Sequence, residues 1–235
     1  MVEIDATKCT TREINAEIRR QISENVREIT VRHPGAKHNL GVALLQAVLL
    51  RIAGSVGYYC GALNDGATVE VEGSAGWGLA ESMLSGMVRV RGDVGSGAAA
   101  ALRGGTVVIH GDAAARLGAS IKGGQVVVLG DCGHMAAFLG QQGTLVVCGD
   151  TGPAFADSMY ATVCYVGGKI ASLGTDAAVA PMDEGDVEKL ERIFEYVPGP
   201  STKSHPPASA FQKVVSERKL WNFEQREWRV WREAL

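Results

Sequence analysis

Residues 86–111 read GMVRVRGDVGSGAAAALRGGTVVIHG, and within this stretch Gly92 and Gly111 each close a short run rich in valine. The two glycines are 19 residues apart, and the same spacing continues in both directions along the chain. The repeat glycines are Gly54, Gly73, Gly92, Gly111, Gly130, Gly149 and Gly168. A fixed period of this kind is the sequence signature of a repeat architecture.

A strand signal precedes the repeat glycines. Runs rich in β-branched residues occupy residues 68–72, 87–91, 106–110, 125–129 and 144–148. Such runs bounded by glycine predict strands, and a 19-residue repeat is too short for a βαβ unit, which needs about 30 residues. The sequence therefore predicts an all-β protein, a right-handed, single-stranded parallel β-helix of about seven coils, flanked by N-terminal and C-terminal helices.

Two further glycine series keep the same period. One follows the repeat glycines by three residues at Gly57, Gly76, Gly95, Gly133 and Gly152, and the other precedes them by six at Gly86, Gly105, Gly124 and Gly143. We expect the glycines at corners, where the chain turns sharply and φ can be positive.

Alternation within the strands predicts which residues face inward. The inward positions hold Leu50 and Ile52, Val69 and Val71, Val88 and Val90, Val107 and Ile109, Val126 and Val128, and Leu145 and Val147. On the outside, Arg51, Glu70 and Arg89 are expected to form a ladder of alternating charge.

The expected outer face becomes apolar in the later coils. Its residues are Val108 and His110, Val127 and Leu129, Val146 and Cys148, and Cys164 and Val166. An apolar sheet face is rarely left in water, so either the C-terminal helix of this chain or another subunit is expected to cover it.

The chain divides into three regions. Residues 1–40 hold a capping helix that begins at a Thr10–Glu13 capping box, residues 41–180 form the β-helix, and residues 181–235 hold a helix near 183–196, a proline-rich linker and an aromatic arm from Phe211. The candidate partner-docking residues are Trp221, Phe223, Trp228 and Trp231. Folding of the arm back over the apolar coils is the equally weighted alternative.

The composition restricts the function classes. With 23 basic and 26 acidic residues the formal net charge is −3, which does not favour nucleic-acid or membrane-surface binding. No basic-then-apolar signal and no apolar run of roughly 18 residues is seen, so we expect a cytoplasmic protein. Five cysteines without paired spacing indicate reduced thiols.

Candidate chemistry is sparse. Asp93, Asp112, Asp131 and Asp150 should stack one coil apart, where calcium binding and solvated turn residues are the alternatives, and the second is favoured. The residues His110, Cys132, His134 and Cys148 lack a paired metal-ligand motif. The glycine-rich strings precede no helix and do not predict a phosphate loop. We predict no catalytic, cofactor-binding or metal residue in this chain.

Several motifs resemble one known family. Residues 73–78 (GSAGWG), 123–131 (GGQVVVLGD) and 140–143 (GQQG) are similar to the GXGXG domain family. That family includes the C-terminal β-helix domain of the glutamate synthase large subunit and a formylmethanofuran dehydrogenase subunit. Residues 38–40 (HNL), 56–60 (VGYYC) and 157–160 (DSMY) look closer to its free-standing form. This form is the GXGXG subunit of methylamine–glutamate N-methyltransferase, also called N-methylglutamate synthase, and of split glutamate synthases.

The resemblance implies a non-catalytic scaffold subunit of a hetero-oligomer. Its partners would be an amidotransferase-like subunit and a glutamate-synthase-like subunit that binds FMN, with a partner iron–sulfur cluster as an open alternative. The implied reaction converts methylamine and L-glutamate to N-methyl-L-glutamate and ammonia. A split glutamate synthase is the alternative. A self-contained polysaccharide-acting enzyme and a purely structural adaptor are rivals from other classes.

Overall fold

The computed structural model describes residues 2–197 and 204–217. The protein is mostly β, a solenoid of about seven turns whose coils have about 19 residues, which confirms the predicted fold class. The elements are β1 (Val2–Asp5), α1 (Thr11–Ser23), β2 (Glu28–Arg32), β3 (Leu49–Ala53), β4 (Asp65–Val71), β5 (Ser85–Val90), β6 (Thr106–Ile109), β7 (Lys122–Val128), β8 (Gln142–Val147), β9 (Val163–Val166), β10 (Ala177–Ala180), α2 (Glu184–Phe194) and β11 (Gln212–Ser216).

One sheet runs along the whole rod. Strands β1 to β9 pair in parallel in sequence order, and β11 and then β10 complete the sheet as antiparallel neighbours. The register follows the repeat, since Val69 pairs with Val88 and Val88 with Val107. A second, narrower ladder of single bridges joins the residues two positions after the repeat glycines: Val56, Ala75, Val94, Ala113, Cys132, Thr151 and Ile170.

The inward row of valines forms the core. Val69, Val88, Val107 and Val126 are completely buried in one hydrophobic cluster that extends through the rod. The predicted inward and outward residues are wrong for β9. Cys164 pairs with Leu145, so Cys164 and Val166 face inward, and Tyr165 between them faces outward. The expectation that Cys164 and Val166 face outward is wrong, because a parallel register continues the inside and outside of the preceding strand.

Contact between coils explains most of the repeat glycines. Gly73, Gly92, Gly111, Gly149 and Gly168 do not have positive φ, so the expected corner conformation is wrong for them. A Cβ at Gly111 would lie 2.7 Å from the carbonyl carbon of Gly92 in the preceding coil. Positive φ occurs instead in the glycine series that precedes the repeat glycines by six residues; Gly105, for example, has φ +80°. Close stacking of backbones is therefore the main constraint on the repeat glycines.

Between the ladder of single bridges and the next strand, each coil contains non-glycine residues in the left-handed backbone conformation. Ala80 and Ser82 are left-handed, and their N–H groups donate in opposite directions, to Cys60 O of the previous coil and Ala100 O of the next. We call one set the left-handed row: Ala43, Leu63, Ser82, Ala101, Ser120, Leu139, Ser158 and Asp176. Each member up to Ser158 donates its N–H to the residue that precedes the next member. These hydrogen bonds offset the cost of left-handed alanine and serine, roughly 1–2 kcal/mol per residue.

Elements outside the repeat are added at both ends of the rod. Helix α1 begins at the predicted capping box, with Thr10 as N-cap, and its Ile14, Ile18 and Ile22 join the core cluster. Strands β1 and β2 extend the sheet ahead of the repeat, which the sequence did not reveal, because the chain between paired residues is longer there. Strand β11 was also missed, and it assigns residues 212–216 to the rod and not to the predicted arm.

The glycine at position 105 allows a test of coil stacking. A Cβ there would lie 2.5 Å from Gly86 O and from Met83 Cε, whereas a Cβ at Gly97, φ +72°, meets nothing within 4 Å. Both alanine substitutions carry the same backbone strain, so their difference isolates the steric contact. We expect Gly97→Ala to lower the free energy of unfolding by about 1–2 kcal/mol and Gly105→Ala by about 2–3 kcal/mol more. Urea unfolding followed by circular dichroism measures both, and equal losses would contradict the stacking argument.

Candidate functional site

The apolar outer face of the later coils is covered by the chain itself. Val127, Val146 and Tyr165 form a second buried cluster together with Leu190 and Ile193 of α2. The same cluster includes Leu129, Cys148, Ala208 and Phe211. Of the two coverings that the sequence left open, the intramolecular one is therefore observed for these coils.

A buried carboxylate holds α2 on this face. Tyr165 Oη donates to Asp186 Oδ1 at 2.6 Å, and Lys213 Nζ donates to Asp186 Oδ2 at 2.8 Å. Burial alone would raise the pKa of Asp186, but the hydrogen bonds from Lys213 and Tyr165 outweigh it, and the net pKa is lowered. Burial and the bond to Asp186 raise the pKa of Tyr165, so its hydroxyl stays a donor. We call Tyr165, Asp186 and Lys213 the Asp186 latch; it joins β9, α2 and β11.

The predicted charge ladder lies on the outer face of the earlier coils. Arg51 contacts Glu28 and Glu70, and Arg89 Nη1 lies 2.8 Å from Glu70 Oε1. Arg89 also donates to the Tyr196 carbonyl just after α2, at 3.4 Å. Partly exposed ion pairs of this kind contribute about 0–1 kcal/mol each, so the ladder serves mainly to fix the register.

The aspartate series forms a ladder of hydrogen bonds to the backbone. The N–H of Asp131 donates to Asp112 Oδ1 at 2.7 Å, and the N–H of Asp150 donates to Asp131 Oδ1 at 2.8 Å. Asp93 and Asp150 accept in the same way from Asp112 and Lys169. The carboxylates are thus structural acceptors between coils, a role that neither the calcium nor the solvated-turn interpretation included.

The thiols and histidines do not converge on a metal site. Within the described ranges, no group of three or more histidine, cysteine or acidic residues could hold a metal ion. All five cysteines are free, as their spacing predicted. Burial raises the pKa of Cys132 and of Cys148 to about 12, which disfavours the thiolate that metal binding or nucleophilic attack requires.

An apolar surface is exposed on the first coils. The rings of His38, Tyr58 and Trp77 stack on successive coils, with centroid separations of 4.4 and 5.3 Å. We call the exposed large apolar side chains of the first three coils the aromatic patch: Leu45, Tyr58, Tyr59, Leu63, Trp77 and Leu84. Sequence reasoning missed this patch, although Tyr58 and Trp77 occupy the same repeat position, because the aromatic residues were read as family motifs.

Trp221, Phe223, Trp228 and Trp231 lie outside the described residues, so their role in partner docking stays a prediction. Neither α1 nor α2, the two α-helices in the described part of the chain, is long and apolar enough to cross a membrane. The structure thus defines three surfaces: the apolar outer face that α2 covers, the charge ladder and the aromatic patch.

The fold defines the class, a parallel β-solenoid with glycine-rich coils. No family model matches the chain. The sequence is similar to Protein GlxC from Rhizobium meliloti (strain 1021), with 42% identity over 72 residues. The matched segment is 30% of this chain and 32% of GlxC, so the similarity spans about a third of that relative.

The aspartate ladder gives a prediction about one hydrogen bond. Asp131→Ala leaves the N–H of Asp150 without its side-chain acceptor, and we expect a loss of about 1–2 kcal/mol in the free energy of unfolding. Asp131→Asn keeps an acceptor oxygen and is the matched control, with a loss below about 0.5 kcal/mol. Urea unfolding measures both. Equal effects of the two substitutions would show that charge, and not the hydrogen bond, is what matters.

The Asp186 latch gives a prediction with a defined pH dependence. Tyr165→Phe removes one donor from a buried carboxylate and should cost about 1–2 kcal/mol at pH 7. A lowered folded-state pKa stabilises above the unfolded-state pKa of about 4, and this contribution is lost as the pH falls through the folded-state value. The penalty should therefore shrink below about pH 4. Tyr196→Phe, at an exposed ring, is the control, and a penalty that does not change with pH would contradict the assignment.

Proposed function

We propose that the chain is a non-catalytic scaffold subunit of a glutamate-synthase-like complex. The observation that carries the proposal is the fold itself, a solenoid of 19-residue glycine-rich coils with motifs resembling the GXGXG domain family. The similarity of a 72-residue segment to GlxC, at 42% identity, is the second support for the proposal.

The polar groups of the chain favour a scaffold over an enzyme. The buried Asp186 is engaged by Tyr165 and Lys213, and the aspartate ladder accepts backbone hydrogen bonds. Charged and polar side chains at these places hold coils and α2 together. A catalytic carboxylate or thiol, by contrast, needs an accessible reactive form, and burial raises the pKa of the core thiols such as Cys60, to about 12.

The specific complex we propose is N-methylglutamate synthase. In it, methylamine and L-glutamate would give N-methyl-L-glutamate and ammonia, with an amidotransferase-like subunit and an FMN-binding subunit as partners. FMN would belong to the partner subunit. The support for this choice is the resemblance of residues 56–60 and 157–160 to the free-standing GXGXG subunit. A split glutamate synthase is the second candidate, supported by the same fold.

The test is a native pull-down of the tagged full chain from its own cells. We expect co-purification of one amidotransferase-like and one flavin-bearing subunit, read from intact mass and flavin absorbance. The eluate should form N-methylglutamate from glutamate and isotopically labelled methylamine, whereas the isolated chain should not.

The outcomes separate the candidates. Partners that form glutamate from glutamine and 2-oxoglutarate, without methylamine incorporation, would select the split glutamate synthase. A chain that purifies alone would contradict the subunit proposal. Activity of the isolated chain would contradict the scaffold role.

A further inference from the structure

The two apolar surfaces of the rod differ in what covers them. The outer face of the later coils is buried beneath α2, with Tyr165 and Leu190 at most 1% exposed. In the aromatic patch, by contrast, Trp77 is 57% and Leu45 70% exposed among the described residues. Isolated apolar side chains on a surface are ordinary, but six large ones on three successive coils mark a contact surface.

Two grooves lie beside side chains of the aromatic patch. One groove of about 250 Å³ is lined by Val42, Tyr59, Leu63 and Glu81 among others, and a second of the same size reaches Leu45. Each groove opens beside exposed apolar side chains. Bulky side chains with little polarity, such as tryptophan, are the groups that fill recesses of this kind.

The left-handed row connects the patch to the last described residue. Leu63 belongs to this row, and Asp176 is its final member, with the same backbone conformation. The N–H of Glu217 donates to Asp176 O at 2.9 Å, so the described chain ends on the side of the rod that carries the patch. Six coil steps separate Asp176 from Leu63, about 29 Å at the usual strand spacing of roughly 4.8 Å.

The chain beyond Glu217 is long enough to return to the patch. Residues 218–235 number 18 and include three of the four tryptophans of the protein. They span up to about 60 Å if extended, which exceeds the roughly 29 Å to Leu63, whereas one continuous helix of about 27 Å would fall short of it. Between Leu63 and Asp176 the row carries small side chains at Ser82, Ala101, Ser120 and Ser158, and one large side chain at Leu139.

We propose that residues 218–235 bind the aromatic patch of the same chain, with tryptophan side chains in its grooves. The inference is independent of the proposed complex. The sequence left two roles open for the arm, docking onto a partner and folding back over the later coils. The proposal favours folding back, but onto the first coils, because α2 already covers the apolar face of the later ones. A partner subunit that engages the arm would first have to displace it.

The first experiment compares the full chain with a chain ending at Glu217. Hydroxyl-radical footprinting read by mass spectrometry reports the accessibility of each side chain. We expect labelling of Tyr58, Leu63 and Trp77 to rise at least about threefold on truncation, as a covered apolar surface becomes exposed. Tyr196, an exposed ring whose backbone carbonyl accepts from Arg89 on the outer face of the sheet, is the internal control and should not change.

The second experiment keeps the chain complete and alters the patch. The double substitution Leu63→Ser with Trp77→Ser should release the arm, so that trypsin cleaves after Arg226 and Arg229 at least about threefold faster. Val179→Ser, at an exposed position of β10, is the matched control and should leave the cleavage rate unchanged. Circular dichroism before digestion verifies that each variant is folded.

Each other occupant of the patch predicts a different result. Protection that rises with protein concentration and accompanies a dimer would assign the patch to a second copy. Protection that appears only in the co-purified complex would assign it to a partner. Either result, or equal labelling of the full and truncated chains, overturns the proposal.

Discussion

The structure depends on the close approach of successive coils. Each strand donates to and accepts from the coils on either side, so every coil must have the same path as its neighbour. Where the backbones approach most closely, a side chain cannot fit, and glycine recurs at Gly92 and Gly111 for this reason. The aspartate ladder uses the same proximity, since a carboxylate of one coil reaches the N–H of the next.

All coils stack in the same way, but the early and later coils differ in where they carry charged and apolar side chains. The early coils carry charges on the outer face of the sheet and apolar groups on the side of the left-handed row. The later coils carry apolar groups on the outer face, and α2 covers them. The Asp186 latch fixes that cover through β9 and β11, so the C-terminal part of the chain is built into the rod. Among the described residues, the rod therefore has a covered apolar surface on its later coils and an exposed one on its first coils, which gives it a defined direction along its length.

The periodic part of the fold was predictable. The inward valines and the Arg51–Glu70–Arg89 ladder follow from the 19-residue register, and the structure confirms them. The errors fall where the period ends or changes. Tyr165 faces outward where Cys164 and Val166 were expected, and β11 lies in a segment interpreted as part of the arm. The aromatic patch went unrecognised because exposure depends on what the rest of the chain covers.

The sequence by itself determined the length of the coil and the row of core residues. These properties repeat, so each coil confirms the register of the next. Only the tertiary structure decided that α2 covers the apolar face of the later coils and that large apolar side chains of the first coils are exposed among the described residues. The covering rests on single contacts, such as those of Asp186 with Tyr165 and Lys213, which no periodicity predicts. A unique contact between distant residues leaves no repeated pattern in the sequence, and it exists only once the coils have placed both partners.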